Sequence, residues 1–151
     1  MWDEVREEVE LELSLLHRLF AEHSTLIASV QEREPDTTAI LALGAILQSF
    51  YNGCENIFKR IAQEIDHAVP TGETWHRDLL AAMARPNSQR PSVISESLLS
   101  TLAAYLRFRH AFHHIYTYDL RWSSMASLVL ACEQTLSQLE KELGRFLESR
   151  G

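Results

Sequence analysis

Between positions 37 and 67 the apolar residues Leu43, Ile46, Leu47, Phe50, Cys54, Ile57, Phe58, Ile61 and Ile65 recur at intervals of three and four. That is the period of one helix face. No segment alternates apolar and polar residues long enough for a strand. No Asn-Gly or Asp-Gly pair sits between two alternating runs to mark a hairpin. The chain is therefore expected to be all-α.

The neighbouring segments read the same way. A first helix is expected from about Asp3 to Glu32, with Val5, Val9, Leu13, Leu16, Phe20 and Ile27 on one face. Glu34-Pro35-Asp36 ends it, and Asp36 or Thr37 caps the next helix, roughly 37–67. Pro70, Thr71 and Gly72 break that helix, a short one follows over 73–84, and RPNSQRPS (85–92) reads as a loop. Ser95 or Ser97 caps a fourth helix that runs into RFRHAFHHIY (107–116). The last, about 122–149, places Met125, Leu128, Cys132, Leu136, Leu139, Leu143 and Leu147 on one face. The expected architecture is an up-and-down bundle of four long helices plus one short helix, forming a single domain over residues 1–151.

With 46% hydrophobic and 23% charged residues and no low-complexity tract, the composition excludes a disordered chain. The longest apolar run, AILALGAIL (39–47), is too short to cross a bilayer, and the acidic N-terminus lacks the features of a signal peptide. No membrane association is expected, and the chain reads as cytoplasmic. Cys54 and Cys132 lack metal-ligand spacing and read as small buried hydrophobes. A net charge of −7 argues against a nonspecific coat on nucleic acid. Its distribution is uneven, though: acids crowd the first forty positions, while Arg77, Arg85, Arg90, Arg107, Arg109 and Arg121 gather in the second half. A local basic cleft is compatible with this asymmetry.

Three of the seven histidines fall within five positions of RFRHAFHHIY. At about 100° per residue, Phe108, Phe112 and Ile115 mark the core face. Arg109, His113 and Tyr116 form one flanking stripe, and Arg107, His110 and His114 form another. On an unbroken helix His114 lies about 140° from Arg109. The pair can converge if the helix unwinds near His114, or if a second copy of the chain pools its groups at one two-fold cleft.

Arginine offers a fork of permanently charged donors suited to phosphate, and histidine exchanges protons near neutrality. Such a pair suits metal-free cleavage of RNA. The imidazole would activate the 2′-hydroxyl or protonate the leaving oxygen, and the guanidinium would stabilise the charged transition state. Spacing alone fits a solvated face equally well. His110 and His114 also stand at i, i+4, where two imidazoles can share an ion. No HExxH is present, only Asp119 or His76 lies near as a third ligand, and no metal site is assigned. Tyr116 and Tyr118 read as half-buried residues at a helix end, Trp75 and Trp122 as core or interface anchors. His76 and Arg77 are either site-lining or solvated.

RFRHAFHHIY followed by TYDLRW resembles the signature of the HEPN superfamily, specifically the HepT-like ribonuclease toxins of toxin–antitoxin pairs. The family motif is Arg-x4-6-His, often extended to Arg-x4-His-x-Tyr. Arg109, His114 and Tyr116 meet the extended form. Arg107 also fits the shorter one, and Arg109 is preferred because it alone satisfies the form with the tyrosine. YNGCENIFKRIAQEID (51–66), ETWHRDLL (73–80) and RPSVIS (90–95) resemble blocks of the same family.

The resemblance implies a homodimeric helical protein with Arg109 and His114 as the catalytic pair of a metal-independent endoribonuclease that needs no cofactor. RNA, with tRNA among the candidates, would be the substrate, and Arg107, His110, His113 and Arg121 would line its site. The implied partner is an MNT-type nucleotidyltransferase antitoxin that transfers AMP to Tyr116. A noncatalytic accessory or substrate-binding partner of a nucleotidyltransferase is the competing expectation.

Overall fold

The computed structural model describes residues 2–149; Met1, Arg150 and Gly151 of the expected domain lie outside them. Six α-helices carry the chain: α1 (Trp2–Glu22), α2 (Ser24–Ser29), α3 (Thr37–Ile61), α4 (Trp75–Met83), α5 (Glu96–His114) and α6 (Ala126–Glu148). Among the described residues there is no strand, only an isolated bridge between Asn87 and Arg90. No helix among them is long and apolar enough to cross a membrane.

The sequence places both principal N-termini. The Asp36 carboxylate accepts from the Ala39 amide at 2.8 Å, and the Ser95 hydroxyl accepts from the Leu98 amide at 3.1 Å. Each satisfies one of the donors that a helix start leaves open. Three boundaries differ from expectation. The first helix breaks at His23, whose Nδ1–H donates to the Leu19 carbonyl at 2.8 Å, and the Ser24-Thr25 that follows is poor helix-forming sequence. α3 loosens into a π-turn over Ala62–Asp66 and ends at His67 with φ 54°. The last helix starts at Ala126 rather than 122, because two 3-10 turns, Thr117–Asp119 and Trp122–Ser124, occupy the connection.

α3 packs against α1, α4, α5 and α6, and α6 also meets α1 and α5. Buried residues of all four long helices join one apolar cluster. The α3 face predicted from periodicity is buried throughout, and so are Cys54 and Cys132. Two glycines set the approach of neighbours to α3. A Cβ on Gly53 would strike Leu16 of α1, and one on Gly44 would lie 2.6 Å from Phe112 of α5. On α5, Phe108 is buried and Phe112 packs partly against the core, but Ile115 is 40% exposed. The core assignment of Ile115 is thus corrected: the chain leaves the helix there with φ −116° and ψ 157°, which turns the side chain off the core stripe.

Candidate functional site

Glu55 is the one acid on the buried stripe of α3, 5% exposed in an otherwise apolar setting. A buried carboxylate is tolerated only if it is paired. Arg109 of α5 reaches it, donating from Nη1 to Glu55 Oε1 at 3.1 Å and to Asn52 Oδ1 at 2.8 Å. His76 of α4 approaches from the other side, with Nδ1 2.7 Å from Glu55 Oε2. A carboxylate only accepts, so His76 carries its proton on Nδ1. Arg109 Nη2 then lies 2.8 Å from that Nδ1 and 3.4 Å from Nε2. Because Nδ1 already donates to Glu55, the 2.8 Å approach of Nη2 is a close contact between two donors, and the ring offers Nη2 no aligned acceptor.

The cluster extends through aromatic contacts. The Trp75 and His76 rings stack at 3.6 Å, Lys59 Nζ stands 4.7 Å over Trp75, and the Arg109 guanidinium lies 5.6 Å from the Tyr51 ring. Tyr51, Glu55 and Lys59 are spaced by four on α3, which brings them to one face. Burial, with Cys54 and Glu55 nearby, pushes the Tyr51 phenol well above its ordinary range, so it stays protonated. Among the described residues, two buried side-chain polar atoms have no hydrogen-bond partner: Tyr51 Oη and Arg109 Nε. Both belong to this cluster.

The end of α5 is different in character. His110, His113, His114, Tyr116 and Arg121 are exposed, as is Arg107 one turn back. His114 Nδ1 is 2.7 Å from the His110 carbonyl, which can only accept. The proton therefore sits on Nδ1, and in the neutral ring Nε2 is the nitrogen left to accept a proton. The His110 and His114 rings lie 4.3 Å apart, and His113 Nε2 accepts from Gln48 at 2.9 Å. Tyr116 and Tyr118 are 71% and 80% exposed, with parallel rings 5.4 Å apart, rather than half-buried.

Within one chain, Arg109 and His114 share no hydrogen-bond partner: Arg109 is drawn to α3 and α4, whereas His114 bonds its own helix. The helix unwinds only after His114, so unwinding does not bring the two together. Arg90, counted from sequence with the basic cluster, is 4% exposed and clamped on Asp66. No group of three or more His, Cys, Asp or Glu side chains among the described residues is placed to hold a metal. Sequence reasoning missed Asn52 and Glu55 and left His76 open. The available signal was an acid inside an apolar stripe, which demands a partner without naming it.

A family model described as "HepT-like protein" matches residues 42–150, which takes in α3 from its second turn through α6 and every residue named above for the site. No curated protein and no solved structure matches the chain.

Proposed function

The chain belongs to the HepT-like family, and from that premise we propose that it is a metal-independent endoribonuclease, the toxin of a HEPN/MNT toxin–antitoxin pair. The observation that carries this reading is the His114 ring. Its Nδ1–H is fixed on a backbone carbonyl, which leaves Nε2 of this exposed residue as the nitrogen that can accept a proton. That is the arrangement a general base needs to take the proton of a ribose 2′-hydroxyl. Attack of that oxygen on the adjacent phosphorus breaks the bond to the 5′-oxygen, which takes up a proton from water as His114 gives its own back to solvent, leaving a 2′,3′-cyclic phosphate and a 5′-hydroxyl. Arg109 supplies donors to the phosphoryl oxygens as charge develops there.

The separation of Arg109 from His114 within one chain favours a single-domain helical bundle working as a homodimer, whose two-fold axis brings both sets to one cleft. Arg107, His110, His113 and Arg121 line that cleft and steer RNA, with tRNA a candidate. Tyr116, 71% exposed beside His114, is reachable by a nucleotidyltransferase antitoxin. An adenylyl group there places an anion where an RNA phosphate would lie. The reading places the protein in the cytoplasm. A noncatalytic, substrate-binding role beside a nucleotidyltransferase draws on one fact: Nη1 of Arg109 is already engaged by Asn52 and Glu55.

Purified protein, shown by mass spectrometry to be unmodified on Tyr116, is incubated with total cellular RNA in excess EDTA beside His114→Ala and Arg109→Ala. Cleavage by the wild type alone supports the nuclease. Equal cleavage by all three assigns the activity to another site or a contaminant. No cleavage by the wild type moves the assignment to the binding role.

A further inference from the structure

The hydrogen bonds around Glu55 orient a pair of donors, one on the motif's Arg109 and one on Asn52, which lies outside the motif. Asn52 Oδ1 accepts from Arg109 Nη1. This fixes the flip of its amide and turns Nδ2, with two N–H groups, away from the guanidinium. Asn52 is exposed, so those donors face solvent. Arg109 has five N–H groups. Nη1 uses both of its own on Asn52 and Glu55, Nη2 lies against the His76 Nδ1 donor and so keeps an N–H open, and Nε–H is buried without a partner. Glu55 offsets the charge of Arg109, and what the cluster offers is a preset pair of directional donors. Lys59, over Trp75, adds positive charge beside it.

We infer that the junction of α3, α4 and α5 is a preorganised contact for an RNA phosphate. Asn52 Nδ2 and the open Arg109 Nη2–H bind its oxygens, and Glu55 and His76 are positioning residues that hold the guanidinium and, through it, the Asn52 amide. The inference rests on the ribonuclease reading for the identity of its ligand. Glu55 cannot release Arg109 without leaving its buried Oε1 unpaired, so the donors keep their place before RNA arrives. The same pairing explains why an acid at the heart of the site does not repel the substrate: both of its oxygens point inward to Arg109 and His76.

Asn52→Asp is the decisive variant. It keeps the oxygen that Arg109 donates to and replaces the outward amide with a second acceptor. A purely structural role predicts unchanged retention of RNA alongside an unchanged or higher melting temperature. A phosphate contact predicts retention of total cellular RNA on filters, in EDTA, reduced about tenfold or more at that same melting temperature. His76→Gln, which keeps a donor for Glu55, is expected to retain more cleavage than His76→Ala, in which a misplaced guanidinium costs about 100-fold. Wild-type retention by Asn52→Asp overturns the inference, as does failure of the wild type to retain RNA. Wild-type protein that retains RNA but never cuts it sinks the nuclease reading alone, and Asn52→Asp still decides this one.

Discussion

A carboxylate as enclosed as Glu55 is costly unless both oxygens are paired, and here Arg109 and His76 take one each. Arg109 therefore has a structural duty as well as a proposed chemical one, whereas His114 is exposed and bonds only the turn behind it. Urea unfolding should separate the two. Arg109→Ala is expected to lose about 3–5 kcal/mol by stranding Glu55, and His114→Ala to stay within about 0.5 kcal/mol of wild type. Loss of cleavage in Arg109→Ala is thus interpretable only below its own melting temperature. The cysteines give a second test. Burial pushes the Cys132 thiol up to about 12 and that of Cys54 higher still. Both stay protonated and unreactive at neutral pH. An alkylating reagent followed by mass spectrometry should label neither in the native protein and both in denaturant.

The elements owe their positions to a few residues. Gly53 lets Leu16 of α1 lie against α3, so Gly53→Ala must displace that side chain and is expected to cost about 1–3 kcal/mol. The connection after α4 is held by Arg90, whose Nε and Nη2 donate to the two Asp66 oxygens at 2.7 and 2.9 Å, and whose Nη1 donates to the Arg85 and Pro91 carbonyls. This ties residues 85–91 to the end of α3 and so fixes the seat of α4, which carries His76. Asp66→Ala leaves Arg90 buried without its counter-charge. The melting temperature should fall by on the order of 10 °C, and His76-dependent cleavage should fall with it. On α5, Tyr105 Oη donates to the Leu128 carbonyl at 2.7 Å, anchoring α5 on α6, while His113 in its last turn accepts from Gln48 of α3.

For the molecule as a whole, the arrangement of one chain leaves Arg109 and His114 on different sides of α5, and the proposed cleft needs a second copy. Sedimentation equilibrium should give twice the mass of one chain; a monomer that still cuts RNA would dispose of the shared cleft. Periodicity was enough to read the helices and the buried faces of α1, α3 and α6, because burial of a helix face depends on spacing that any sequence displays. The histidine-rich end of α5 was legible too, since crowding of titratable groups is a local property. What the sequence by itself determined is the all-helical class, the apolar faces and the motif, with each cap narrowed to two residues from which the structure selects Asp36 and Ser95. Tertiary structure alone decided that Arg90 is a buried strut and that Ile115 lies outside the core. It also decided that Glu55, Asn52 and His76 converge on Arg109. Those three pairs with Arg109 are separated by 54, 57 and 33 residues along the chain. An acid in an apolar stripe announces that it needs a partner, but which cation reaches it depends on how three helices pack. Local spacing carries no record of that packing.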